Sequence, residues 1–113
     1  MSPDAPTTLP EVATRPRIDL ELVVASDAEL EKPYRVIIQN DDVTPMEFVV
    51  VVLMTIFELT SDQATDVMFT AHQRGRALVK VFPYHEAQER VYTAQSLARD
   101  TGYPLTFYLE PDE

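Results

Sequence analysis

The pattern of apolar and polar positions predicts a first strand followed directly by a long apolar helix. The run Tyr34–Ile38 is rich in β-branched and aromatic residues, which is typical of a strand. From Pro45 to about Leu59 the apolar residues show no clean period, and four valines at 49–52 favour a strand on propensity alone. Thr44 and Pro45 decide for a helix, because Thr caps a helix start and Pro suits its first position. Glu47 completes a predicted T-x-x-E capping box with Thr44.

Two more helices and two more strands follow. Thr60 and Ser61 cap the second helix, which Gly75 ends, and its inward stripe consists of Ala64, Val67, Met68 and Ala71, with His72 extending it. Alternation over Arg76–Phe82 predicts a strand whose inward residues are Ala77, Val79 and Val81, with Lys80 on the other face.

The third helix is predicted from about Tyr84 to Asp100, with Gly102 after it, and the last strand at Leu105–Leu109. The inward positions of this helix are Ala87, Val91, Ala94 and either Leu97 or Ala98. The order is therefore β-α-α-β-α-β. We expect an α+β fold in which three helices cover one face of a three-stranded antiparallel sheet.

The first part of the chain differs from this core. Residues 1–32 combine prolines with many acidic residues and bury too little apolar surface to offset the entropy of ordering. Only the stretch 18–24 alternates, as either a short strand or an apolar patch. We predict a flexible acidic arm over 1–32 and one core domain over 33–113.

Composition narrows the function. A formal net charge of −10 argues against nucleic acid and anionic membranes as partners, since both need a basic surface. The chain has no cysteine and two histidines, so thiol chemistry is excluded and we expect neither a metal nor a cofactor. No secretory signal is evident, and the apolar stretch Phe48–Phe57 is too short to span a bilayer. We expect a monomeric cytoplasmic protein.

Two features converge on one candidate site. Asn40, Asp41 and Asp42 form a loop between the first strand and the first helix, and His72 lies on an otherwise apolar helix face. Each feature alone is more often structural than functional. Together they describe a pocket with acceptors at its rim and apolar walls, available from Ile38, Met46, Val49, Met68 and Ala71. A free peptide amino terminus with a bulky first side chain fits such a pocket.

Two motifs resemble those of a known family. The run Tyr34–Val49, which contains Asn-Asp-Asp-Val-Thr-Pro-Met-Glu-Phe, closely resembles the signature of the ClpS adaptor proteins. The run Ala71–Ala77 resembles the second motif of that family, and the similarity covers about Tyr34–Leu109.

The resemblance implies an adaptor without catalysis. Such proteins bind substrates with destabilising first residues (Leu, Phe, Tyr, Trp) and deliver them to a Clp-family AAA+ unfoldase, ClpA- or ClpC-like, with the ClpP peptidase. The resemblance implies that Asn40, Asp41 and His72 hold the α-amino group, that Met46 rejects β-branched residues, and that the arm takes part in the handover. The implied side-chain pocket consists of Ile38, Thr44, Met46, Val49, Met68, Ala71 and Leu105.

This sequence departs from the family pattern at three places. Val43 stands where many members have an aromatic residue, and Ala71 is smaller than the common Val. His85 changes the region that docks on the unfoldase, for which the resemblance implies His85, Glu86 and Arg90. An alternative function is a regulator that binds the unfoldase without delivering substrates.

Two other classes fit less well. As an enzyme, the chain would use Asp41, Asp42 and His72 as an acid–base set or metal site, but the sequence places no nucleophile beside His72. The ribosomal stalk protein's C-terminal domain shares the predicted layout but not the Asn-Asp-Asp loop with its matching His.

Overall fold

Six elements follow one another in the part of the chain that the computed structural model describes, residues 32–113. In chain order they are β1 (Pro33–Gln39), α1 (Met46–Thr55), α2 (Ser61–Arg74), β2 (Arg76–Pro83), α3 (Tyr84–Thr101) and β3 (Thr106–Pro111). The predicted order β-α-α-β-α-β is confirmed. The predicted arm, 1–32, lies outside the described residues apart from Lys32.

Strand β1 is the centre of the sheet. The spatial order is β2-β1-β3, and both pairs are antiparallel. Val36 and Ile38 are buried under the helices, which cover one face of the sheet. Ile37 points to the opposite face because side chains alternate along a strand, and its cross-strand partners there are Leu78 and Tyr108. The predicted α+β architecture is confirmed.

A β-bulge in β2 changes which of its residues face the core. Val36 pairs with Lys80 but Ile37 pairs with Leu78, so Val79 is an extra residue on β2. The bulge shifts the alternation: beyond it, Phe82 is buried while Val81 is exposed. The prediction that Val81 faces the core is therefore wrong. Lys80, expected on the other face, lies with its ammonium 5.6 Å from the centroid of the Phe82 ring.

The start of α1 also differs from the prediction. Pro45 is the N-cap residue, with an extended backbone (φ −63°, ψ 143°), and no side chain caps this helix. The Thr44 hydroxyl donates to Asp41 Oδ2 at 2.9 Å instead of capping α1. The capping box of Thr44 and Glu47 is thus not formed, because the nearby carboxylate of Asp41 takes the Thr44 side chain. Such a box is present in α2, between Thr60 and Gln63.

Small residues let the helices approach the sheet closely. Ala87, Ala94 and Ala98 of α3 have no exposed surface and Val91 packs partly buried against the core, whereas Leu97 is exposed. Ala98 is therefore the inward residue of the predicted pair. Phe57 fills the centre of the core, with its ring 5.0 Å from that of Phe107.

Helix α1 ends at Thr55, earlier than the predicted Leu59. The chain turns through Glu58, whose φ of 60° is left-handed, and Leu59 N–H donates to Leu53 O at 3.1 Å. Phe57 and Leu59 are nevertheless buried. None of the helices within residues 32–113 combines the length and apolar character needed to cross a membrane.

Candidate functional site

A cavity of about 150 Å³ opens between the β1–α1 loop and the C-terminal half of α2. Its apolar walls are Ile38, Met46, Val49, Met68, Ala71 and Leu105, and its polar lining is Gln39, Asn40, Asp41, Asp42, Thr44 and His72. Every residue that the sequence assigned to the amino-group and side-chain sites lies in this lining. Gln39 was missed, and Asp42 was placed in the candidate loop without being assigned to the amino-group site. Val43, which differs from the aromatic residue of many family members, is largely exposed and does not line the cavity.

The turn at Gly75 brings the two motifs together. Gly75 has a left-handed backbone (φ 91°) that ends α2, a conformation that other residues rarely adopt. Its carbonyl accepts a hydrogen bond of 2.9 Å from Asn40 N–H. The end of β1 is thereby fixed against the end of α2, so that Asn40 and His72 line the same cavity.

Asp41 organises the loop. Its Oδ1 accepts from the backbone N–H groups of Val43, at 2.8 Å, and Thr44, at 2.6 Å. Its Oδ2 accepts from the Thr44 hydroxyl. Both carboxylate oxygens of Asp41 are therefore used within the loop, as is usual for an Asp whose side chain replaces a backbone turn.

The neighbouring polar side chains, unlike that of Asp41, are not engaged by other described residues. Within residues 32–113, no hydrogen bond or ion pair engages the side chains of Asn40, Asp42 or His72. Asp42 and His72 are exposed and Asn40 is half-buried. An amide oxygen, a carboxylate and a neutral imidazole nitrogen can all accept hydrogen bonds. This rim can therefore hold a group with several donors and a positive charge.

The walls of the cavity suit an apolar group. Ile38, Val49, Met68, Ala71 and Leu105 are all buried in the core. Met46 is different, because it begins α1 and remains substantially exposed. Since burying a Leu or Phe side chain contributes about 1.5–3 kcal/mol, these walls supply affinity while the rim supplies orientation.

The predicted docking residues lie at the start of α3, and none of them lines the cavity. His85 Nε2 is 3.0 Å from Glu89 Oε2 on the helix surface. Arg90 donates to Glu86 Oε2 at 2.7 and 2.9 Å and to the carbonyl oxygen of Ile56. Its guanidinium also lies 4.7 Å from the centroid of the Phe82 ring. Arg90 is thus engaged by its own domain.

No group of three or more His, Asp or Glu side chains among residues 32–113 is placed to hold a metal ion. The cavity lining contains one histidine, His72.

Comparison with known proteins gives one consistent family. Residues 29–108 match the family model of the ATP-dependent Clp protease adaptor protein ClpS. The chain is 44% identical over 105 residues to the ClpS 2 adapter protein of Mesorhizobium japonicum, an alignment that covers 93% of this chain and all of that relative. It is 47% identical over 100 residues to the ClpS 1 adapter protein of Rhodopseudomonas palustris, covering 85% and 97% of the two chains.

A solved structure is also similar. Agrobacterium tumefaciens ClpS2 bound to L-phenylalaninamide superimposes with a TM-score of 0.69 at 41% sequence identity. The match covers 73% of this chain and 99% of that one.

Proposed function

The chain belongs to the ClpS family of ATP-dependent Clp protease adaptor proteins, and we propose that it selects substrates by their amino terminus. The ligand is a free α-amino group together with a bulky apolar first side chain, Leu, Phe, Tyr or Trp. The observation that carries this proposal is the set of unengaged polar side chains, Asn40, Asp42 and His72, above an apolar cavity. The phenylalaninamide bound by the Agrobacterium relative has the same two features, an amino group and an apolar side chain.

The contacts within the loop suggest different roles for its two aspartates. Asn40, Asp41 and His72 would contact the ammonium group, with the neighbouring Asp42 carboxylate adding negative charge. Asp41 lines the cavity, and its Oδ2 accepts one hydrogen bond, from the Thr44 hydroxyl, so that oxygen can still accept from a second donor. Asp41 would therefore hold the loop in shape and also accept a hydrogen bond from the ammonium group, whereas Asp42 would contribute mainly its charge.

The side-chain pocket follows from the walls. The first side chain would pack against Ile38, Val49, Met68, Ala71 and Leu105, beside Thr44. Met46, at the exposed edge of the pocket, would exclude first residues that branch at Cβ. Ala71 leaves room that a larger residue would fill.

Delivery to a Clp-family AAA+ unfoldase and its peptidase is the second half of the proposal. The surface that begins α3, with His85 and Glu86, is the proposed docking site. Arg90 would contribute mainly by fixing this surface to the rest of the domain. We propose no catalysis by this chain: the single hydroxyl in the cavity lining, that of Thr44, donates to Asp41.

Binding is tested with one pair of peptides. We expect a fluorescein-labelled peptide beginning with Phe to bind in an anisotropy titration. Its N-acetylated twin should bind at least about tenfold more weakly, because acetylation removes a charged hydrogen-bond donor. Equal binding of both peptides would exclude recognition of the amino group. No binding of either would exclude the proposed ligand.

Delivery needs its own assay. A fluorescent reporter protein with an amino-terminal Phe would be incubated with the unfoldase, its peptidase and ATP. We expect degradation to accelerate when the adaptor is added and to be competed by the free Phe peptide. Inhibition of degradation without acceleration would instead favour the regulator that does not deliver.

A further inference from the structure

The sulfur atoms of this chain are all in methionines. The sequence has four methionines and no cysteine. Three of them lie in the described part of the chain, with exposed fractions of 44% for Met46, 38% for Met54 and 8% for Met68. Peroxides oxidise thiolates and thioethers according to their exposure. With no thiol to compete, this chemistry falls on the exposed methionines.

The three methionines differ in their exposure and in whether they line the cavity. Met46 and Met54 lie on the same helix, α1, and both are accessible, but Met54 does not line the cavity. Met68 lines the cavity but is buried. Among residues 32–113, Met46 is the one methionine that is both accessible to an oxidant and in contact with the space that a ligand would fill.

We propose that Met46 is an oxidation site through which hydrogen peroxide lowers the affinity of the cavity for its ligand. This inference rests on the function proposed above. In the reaction the thioether sulfur attacks one peroxide oxygen, an S–O bond forms and the O–O bond breaks. Sulfur loses two electrons, and the second oxygen leaves as water with the two peroxide protons. The product is the neutral sulfoxide of Met46.

Oxidation of Met46 should weaken ligand binding because of what surrounds this residue. The sulfoxide oxygen is a strong hydrogen-bond acceptor among apolar walls that include Ile38, Val49 and Leu105. A bulky apolar side chain in the pocket would cover that oxygen without offering it a donor. We expect roughly tenfold weaker binding, because an unpaired polar group is costly to bury. Methionine sulfoxide reductases return the thioether, so the change is reversible.

The experiment compares three proteins before and after hydrogen peroxide. The wild type, Met46→Leu and Met54→Leu are titrated with the labelled Phe peptide, treated with peroxide, mapped by peptide mass spectrometry and titrated again. Leu is an apolar replacement of similar volume without sulfur. In the wild type and in Met54→Leu, affinity should fall roughly tenfold as Met46 gains one oxygen. In Met46→Leu the affinities before and after treatment should agree, and reductase treatment should restore wild-type binding.

Each failure has a separate meaning. If the untreated wild type does not bind the peptide, the proposed function fails before oxidation is considered. If it binds, and its affinity is unchanged once Met46 is oxidised, the oxidation site has no effect on binding and the present inference alone is overturned. A loss of affinity that persists in Met46→Leu, or oxidation of Met54 while Met46 stays unmodified, also overturns it.

Discussion

The cavity rim and the start of α3 use polar residues in opposite ways. At the rim, no other described residue engages the side chains of Asn40, Asp42 or His72. At the start of α3, Arg90 is only 21% exposed and is held by Glu86, by the Ile56 carbonyl and by the Phe82 ring.

We expect the rim residues to affect ligand binding and Arg90 to affect the stability of the fold. A polar side chain without an internal partner contributes little to folding, so its loss should be felt when a ligand arrives. A charged side chain with several internal partners contributes to folding, so its loss should be felt in the free protein. We therefore expect substitutions at the two places to change different quantities.

The largest effect is expected at Arg90. Arg90→Ala should lower the free energy of unfolding by about 2–4 kcal/mol, because it removes charged hydrogen bonds and a cation–π contact. Urea unfolding followed by circular dichroism measures this change. Arg90→Lys is the control: it keeps the charge but cannot reproduce the forked donors, and it should lie between Ala and wild type. If the urea unfolding midpoint of Arg90→Ala equalled that of the wild type, the contacts of Arg90 would not be stabilising.

The next effect is expected at Asp42. Asp42→Asn should weaken binding of the Phe peptide by about 1.5–3 kcal/mol, because it removes one of the two carboxylates proposed to lie beside the ammonium group. Its unfolding midpoint should stay at the wild-type value, since Asp42 has no partner among the described residues. Anisotropy and urea unfolding on the same preparation test both statements. Wild-type affinity would remove Asp42 from the site.

A smaller effect is expected at Thr44, which lines the cavity and also makes a hydrogen bond within the loop. Thr44→Val keeps the shape of the side chain but removes the hydrogen bond to Asp41 Oδ2. Stability should fall by about 0.5–1.5 kcal/mol, the usual contribution of one hydrogen bond. Peptide binding should weaken as well if Asp41 holds the loop in shape. Asp41→Ala removes all three loop contacts, so it should lower both the stability and the peptide affinity more than Thr44→Val does. Equal effects of the two variants would contradict this role of Asp41.

The smallest effect is expected at His85. His85→Gln should change the free energy of unfolding by less than about 0.5 kcal/mol, because the pair with Glu89 is exposed on a helix surface. Peptide binding should not change. If His85 takes part in docking, the variant should slow degradation of the Phe reporter at limiting adaptor concentration. An unchanged rate would remove His85 from the docking surface.

Local sequence predicted the elements and most of the cavity lining. The order of strands and helices follows from periodicity and from the stops at Gly75 and Gly102, both of which are left-handed. The alanines of α3 marked the face that packs on the sheet. The two motifs identified residues from both sides of the cavity, because each motif lies at the end of a predicted element.

Other features were decided only in three dimensions. The bulge at Val79 depends on how β2 pairs with β1, and a strand's own alternation does not reveal that register. Sequence could not tell whether Asp41 or Asp42 would remain unengaged, because neighbouring donors compete for the same carboxylates and geometry selects between them. Likewise, Arg90 has the appearance of a surface charge until Ile56, 34 residues earlier in the chain, is brought beside it.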